Sequence, residues 1–250
     1  MRKIWLLVGL ASLVYFLSGF GGRGLYAAEE KTAKLWEGEC GAGYSQTNGN
    51  AKKSSLNVNA GLHRKTGHDE FNIKANMLYS SSSHEVDGQK WYAMGRYGIS
   101  IWNKKWYNFY KVEADHDRFA NINYRIIPST GLGYWFSDTP DWKAMVEMGI
   151  GLTHTDYRDN TKTSSEATLI PRVFLDKRIF GESHLSEDIT FYSSLKNSGE
   201  YRFRSATSFT NPINERLSLR ISFIDDYNSE PSVDTKKNDT QIVSSLNYSF

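Results

Sequence analysis

Asp239-Thr240-Gln241-Ile242-Val243-Ser244-Ser245-Leu246-Asn247-Tyr248-Ser249-Phe250 is the stretch whose reading decides the fold. Taken by twos from Phe250, one set is Phe250, Tyr248, Leu246, Ser244, Ile242 and Thr240; the other is Ser249, Asn247, Ser245, Val243 and Gln241. Such period-two alternation is that of a β-strand with one apolar and one polar face. A soluble sheet can contain such a strand, but seldom finishes it on an exposed aromatic. Transmembrane barrels place apolar residues at alternate, lipid-facing positions and aromatics at the membrane interface. The stretch therefore predicts the closing strand of a transmembrane β-barrel, with Phe250, Tyr248, Leu246 and Ile242 as the outward residues that serve as its assembly signal.

The bulk composition allows this and excludes alternatives. A chain of 250 residues has room for one large β domain or barrel. Its mean hydropathy is −0.54 and it holds no internal run of eighteen apolar residues, which excludes a helical membrane protein. A barrel tolerates that value because only alternate residues face lipid. Aromatic residues make up 14% of the chain, as suits a β protein with aromatic girdles. The formal charge is +2, but Arg2, Lys3 and Arg23 precede position 28. The remainder is close to neutral, so there is no electrostatic case for nucleic acid as a partner.

Met1–Ala28 reads as a signal peptide: basic Arg2 and Lys3, an apolar core from Ile4 to Phe20, and a Leu25-Tyr26-Ala27 exit with cleavage after Ala27 or Ala28. An uncleaved anchor helix is the alternative, since the apolar core is just long enough for one. Residues 29–35 form a short N-terminal segment and residues 36–250 the barrel. Cys40 is the single cysteine and follows no lipobox; alone, it forms no internal disulfide. An exported, disulfide-free β chain fits a bacterial outer membrane, with lipid, lipopolysaccharide and the barrel assembly machinery as its partners.

Twelve strand-like segments follow: Trp36–Thr47, Ser54–Lys65, Asp69–Tyr79, Lys90–Trp102, Trp106–Asp115, Arg125–Ser137, Trp142–Thr155, Glu166–Phe180, His184–Leu195, Glu200–Thr210, Glu215–Tyr227 and Asp239–Phe250. Leu56, Val58, Ala60 and Leu62 oppose Asn57, Asn59, Gly61 and His63; Val146, Met148, Ile150 and Leu152 oppose Glu147, Gly149, Gly151 and Thr153. The parity of Trp106–Asp115 is ambiguous, and Pro128 and Pro171 each remove a ladder donor. Connections alternate in length: short at 66–68, 103–105, 138–141, 181–183 and 211–214, longer at 80–89, 116–124, 157–165 and 228–238. Short periplasmic turns and long external loops are the outer-membrane arrangement. The expected fold is all-β: an antiparallel up-and-down transmembrane barrel of about twelve strands.

The sequence also resembles a family. Trp36-Glu37-Gly38 followed by Gly43-Tyr44-Ser45-Gln46-Thr47-Asn48-Gly49-Asn50 is similar to the opening of the salt-induced outer-membrane proteins (YdiY-like). Asp117-Arg118-Phe119, Tyr124-Arg125 with Gly131-Leu132-Gly133-Tyr134, Glu147, Gly149 and the Asp239–Phe250 ending continue the likeness across the whole mature chain. The resemblance implies an outer-membrane barrel with no assigned chemistry, hence no catalytic residues to carry over.

If the apolar parity faces lipid, the lumen is lined by Lys74, Arg96, Lys111, Glu113, Glu147, Arg172, Arg202, Arg204 and Arg220, with His63, Asp115, Asp176 and Asp188 on the same face. Two readings stay open: these charges cross-pair into a plug, or they line a path for small solutes or ions. Arg202, Arg204 and Arg220 on adjacent strands would make a basic patch favouring anions. Asp115-His116-Asp117 beside Glu113 is the best cluster for acid/base or metal chemistry, but at a strand-to-loop junction such residues are ordinarily solvated, and that is the favoured reading. Glu85 with Asp87, or Asp225 with Asp226, could hold divalent cations. His154-Thr155-Asp156 invites a hydrolase reading, but the serines sit in no nucleophile motif. Gly131-Leu132-Gly133 lacks the third glycine of a dinucleotide site. No catalytic, cofactor or metal site is expected. The expected function is non-enzymatic: a polar, charged-lumen envelope protein, as a pore or an osmotic, salt-responsive component. An outer-membrane lipid or peptide hydrolase and a surface-binding barrel are the alternatives.

Overall fold

The computed structural model describes residues 36–47, 53–82, 85–102, 105–158, 163–232 and 235–250. The expected signal peptide and the segment 29–35 lie outside the described residues. Twelve strands run in order: β1 (Trp36–Thr47), β2 (Lys53–Lys65), β3 (Asp69–Ser82), β4 (Glu85–Trp102), β5 (Trp106–Asp117), β6 (Ile122–Asp138), β7 (Trp142–Tyr157), β8 (Thr163–Phe180), β9 (Ser183–Ser194), β10 (Tyr201–Pro212), β11 (Leu217–Asn228) and β12 (Asn238–Ser249). Each pairs antiparallel with its sequence neighbours, and β1 pairs with β12 to close the barrel. Closure removes the unpaired edges that lipid does not tolerate.

The expected alternation fixes the two faces. On β7, Val146, Met148, Ile150 and Leu152 are exposed outward, whereas Glu147 between them is 4% exposed. Leu56, Val58, Ile73, Met77, Ile221, Ile242 and Leu246 extend the apolar outer wall. Trp36, Trp102, Trp106, Phe136, Phe180, Tyr248 and Phe250 form an exposed aromatic belt at the end bearing the short turns. That end is called the turn end here, and the opposite one the loop end.

On β5 the ambiguity resolves in favour of odd positions. Tyr107, Phe109, Lys111, Glu113, Asp115 and Asp117 are all buried inside, while Trp106, Tyr110 and Val112 are exposed outside. Tyr107 and Phe109 pack with Met145, and Ile127 with Ile170 and Tyr192, so the β5–β9 wall carries apolar bulk into the lumen. Gly133 makes this possible: a Cβ there would collide with the Tyr107 ring, and one at Gly149 would press on Phe109.

The two prolines leave matched gaps. Between β6 and β7 the register runs Ile126↔His154 and then Ser129↔Gly151, skipping Ile127 and Pro128. Between β8 and β9 it runs Leu169↔Ser193 and then Arg172↔Thr190, skipping Ile170 and Pro171. A residue without an N–H cannot bond to the strand on that side, and the ladder resumes once the chain has passed it.

Three of the expected long connections are shorter than the sequence indicates, while the one between Asn228 and Asn238 stands. Ser80–Gln89 is mostly strand, since β3 continues to Ser82 and β4 begins at Glu85. Likewise β5 runs on to Asp117, β6 starts at Ile122 and β8 starts at Thr163. Ser, Asn and Asp, read as loop residues, pair here as strand extensions, because the ladder bonds backbone irrespective of side chain. At the turn end Gly181, at φ +52°, takes the left-handed conformation that a tight β8–β9 turn requires.

Candidate functional site: a charged lumen narrowed at mid-height

Inward-facing positions around the wall place an ion-pair network inside the barrel. Toward the turn end its hub is Glu147 on β7. Arg96 Nη2 donates to Glu147 Oε1, Arg172 Nη1 to Oε2 at 3.0 Å, and the Tyr107 hydroxyl to Oε1 at 3.0 Å. Arg172 also forks onto Asp188, with Nε and Nη2 at 2.7 and 2.8 Å from its two oxygens. The Arg96 guanidinium lies 5.3 Å from the centre of the Tyr107 ring and 5.5 Å from that of Phe109. Planar guanidinium groups suit this shared use, bonding carboxylates in plane while stacking on rings.

At mid-height Glu113 pairs with Lys111 at 2.8 Å and accepts the Tyr92 and Tyr192 hydroxyls at 2.8 and 3.0 Å. Toward the loop end Arg204 donates to both oxygens of Asp226 at 2.8 Å, and Arg125 forks onto Asp115 at 3.0 and 2.8 Å. Lys90 lies 3.3 Å from both Asp117 and Asp226. Arg220 on β11 reaches across the β1–β12 seam to Glu39, at 3.0 and 2.9 Å.

Two cavities occupy the remaining space. One, of about 500 Å³, opens toward the loop end between Asp117, Asn228 and Pro231 and descends to Arg220, Glu39 and Ser245. The other, of about 370 Å³, opens toward the turn end between His63, Lys65, Asp138 and Lys143. Both are lined by Lys74, Tyr92, Glu113, Asp188, Tyr192 and Arg204, which form the waist where they meet.

Lys74, Arg96, Lys111, Glu113, Glu147, Arg172, Arg202, Arg204 and Arg220 all belong to this interior network or its cavities. The expected basic patch is corrected: Arg204 is neutralised by Asp226, its direct cross-strand partner on β11, and Arg220 by Glu39, which closure brings within reach across β12. Only Arg202 of the three stands apart, with its guanidinium 4.4 Å over the Tyr192 ring and Nη2 buried without a hydrogen-bond partner. Tyr92, Tyr107 and Tyr192 were not singled out from the sequence. As aromatics they matched the girdle pattern, and only the inward parity distinguishes them.

The remaining candidates separate. Asp115 and Asp117 point inward, whereas His116 stacks on Trp91 and contacts the Asn123 carbonyl at 2.6 Å. Asp117 Oδ1 accepts the Phe119 and Ala120 amides at 3.0 Å, a turn cap rather than a ligand. Asp87 accepts from Ser80 Oγ at 2.6 Å. Among the described residues, no group of three or more His, Cys, Asp or Glu is arranged to hold a metal ion. Gly131 lies against the Met148 carbonyl and Gly133 against Tyr107, so the Gly131-Leu132-Gly133 motif serves packing.

His154 Nδ1 and Ser165 Oγ lie 2.8 Å apart in register on β7 and β8, near the loop end. The nearby Asp156, which would have to orient the imidazole, instead accepts from Asn123 at 2.7 Å and Thr163 at 3.4 Å. A Ser–His pair without an orienting carboxylate lacks the geometry of an activated nucleophile. Replacing Ser165 by Ala is expected to leave any lipid or ester hydrolysis by the purified protein at the level of a buffer blank. A Ser165-dependent turnover would reverse this reading.

A family model described as "Protein of unknown function, DUF481" matches residues 40–250. Comparison with curated protein sequences finds no match. Among solved structures, a NanC porin is similar at a TM-score of 0.46 with 14% identity, over 85% of this chain and 96% of that one. The translocator domain of the autotransporter NalP from Neisseria meningitidis scores 0.46 at 9% identity, over 100% and 96%. The β domain of the Bordetella autotransporter BrkA scores 0.37 at 13% identity, over 86% and 96%. The assignment of the fold rests on the closed strand order itself rather than on these likenesses.

Proposed function

The chain belongs to the DUF481 family of proteins of unknown function, and from that premise we infer that it is a non-enzymatic outer-membrane pore for small polar solutes. The observation that carries this reading is the pair of cavities, one opening toward each end, meeting at a shared charged waist. A lumen built only as a plug has no need of vestibules at both mouths. Ion pairs along the wall leave the centre wet while holding the side chains in place. The apolar outer wall, the aromatic belt and the short turns at one end support an outer membrane of a Gram-negative bacterium, with the turn end in the periplasm. Lipid and lipopolysaccharide then surround the wall, and the barrel assembly machinery inserts it, reading Phe250, Tyr248, Leu246 and Ile242. The resemblance to salt-induced outer-membrane proteins adds regulation by osmotic conditions.

Refolded protein lacking residues 1–28, incorporated into a planar bilayer, is expected to give uniform small conductance steps. Their size should rise when Tyr92 or Tyr192, both at the waist, is replaced by Ala. A verified folded barrel that stays electrically silent would overturn the pore and leave the plug.

A further inference from the structure

The interior carboxylates and cations do not cancel evenly. Those lining the loop-end vestibule are each in contact with a basic side chain: Glu39 with Arg220, Glu113 with Lys111, Asp115 with Arg125, Asp188 with Arg172, Asp226 with Arg204, Asp117 and Asp239 with Lys90, and Asp176 with His184. Of the inward strand cations that line this vestibule, two remain, while Lys143 on β7, also without an ion pair among the described residues, stands at the turn-end mouth. Lys74 reaches the waist from β3, is exposed to the lumen, and has no hydrogen bond or ion pair among the described residues. Arg202 sits higher on β10 and has the same cavity before it; its Nη2 is buried with no acceptor.

An unmatched guanidinium N–H held out of water is costly unless a ligand or solvent satisfies it. Its stacking on Tyr192 fixes the plane of the fork, leaving donors that match a carboxylate or phosphate oxygen. Lys74, with no partner to hold it, supplies a mobile point charge below. We propose that Arg202 and Lys74 form a two-step oxyanion site, taking a carboxylate or phosphate group from the loop-end vestibule at Arg202 and passing it through the waist at Lys74. The site rests on the pore reading for its transport role but not for binding. It also relocates the anion preference: Arg204 and Arg220 are engaged by Asp226 and Glu39, and the preference belongs to the two vestibule cations without carboxylates, Arg202 and Lys74.

The test has a transport arm and a binding arm. In a planar bilayer under a potassium chloride gradient, the native barrel should give a reversal potential of anion-selective sign. Lys74→Gln with Arg202→Gln should move it to zero or past it, while Arg64→Gln, which removes one outer-wall charge, should leave it unchanged. Calorimetric titration of the detergent-folded protein with gluconate and, separately, inorganic phosphate should show binding that the double variant loses; the stronger of the two identifies the carboxylate or phosphate source. If the double variant does not fold, Lys74→Met alone serves, since removing an unpaired lumen cation strands no partner charge. Cation selectivity in the native barrel, or a preference unchanged in the variants, would overturn the proposal. If no channel conducts, the pore reading fails by itself and titration decides the site: native protein that binds neither anion would sink it.

Discussion

A barrel lacking Asn247–Phe250 is expected not to close at all. The β1–β12 seam is held in register by Glu39↔Ser249, Cys40↔Tyr248, Gly41↔Asn247 and Ala42↔Leu246, with reciprocal bonds between Gly38 and Phe250 at 3.1 and 2.9 Å. Every other neighbouring pair is registered over a much longer stretch; β1 and β2, for example, pair from Trp36↔Arg64 to Thr47↔Lys53. The deletion leaves only Ala42↔Leu246 and exposes two strand edges to lipid, where each unsatisfied backbone group costs several kcal/mol. It also removes Asn247, which is fully buried against Gly41. The measurement is refolding into detergent without any assembly machinery, read by the heat-dependent shift in electrophoretic mobility. Complete loss of the compact band is the expected result, and a normal yield would show that the seam does not depend on these pairs. Phe250→Ala separates closure from recognition: the backbone bonds survive and the 60%-exposed ring is lost. That variant should fold in detergent yet accumulate poorly in the membrane of living cells.

Glu147→Ala should have the second largest effect. The carboxylate is 4% exposed and joins Arg96, Arg172 and Tyr107, so the substitution takes a carboxylate away from two guanidinium groups inside the barrel. Breaking a buried pair from one side costs about 3–5 kcal/mol, mostly the penalty for the uncompensated charge. Arg172 keeps its fork onto Asp188, so the burden falls on Arg96, whose other carboxylate, Glu70, is 4.0 Å away. Denaturant unfolding in detergent micelles is the measurement. Glu147→Gln keeps the volume and one acceptor oxygen and should lose less; equal stability of Glu147→Ala and the native protein would show that lumen water already screens the hub.

The faces, the strand number and the place of the turns were legible in the sequence because alternation is a one-dimensional property. A strand sends successive side chains to opposite sides, so Val146–Leu152 or Leu217–Phe223 declares its outer face before any partner is known. Alternation failed at β5, where both parities hold aromatics. Tyr107 and Phe109 point inward because Gly133 and Gly149 on the next two strands leave room for rings. It also failed at Ser80–Gln89, where polar residues suggested a loop and the ladder continued through them. Polarity reports solvent, not backbone pairing.

That Lys74, Arg96 and Arg220 face inward follows from parity alone, but parity says nothing about what each will meet. Arg96 and Glu147 are 51 positions apart, and Glu39 and Arg220 are 181 apart. Their meeting depends on the register of every intervening hairpin and on closure of the last strand onto the first. The sequence by itself determined a wall with two faces; the tertiary structure decided which charges cancel across the lumen. Cancellation depends on distances of a few ångströms between strands remote in the chain, and so, among the strand cations of the loop-end vestibule, Lys74 and Arg202 are left without carboxylates.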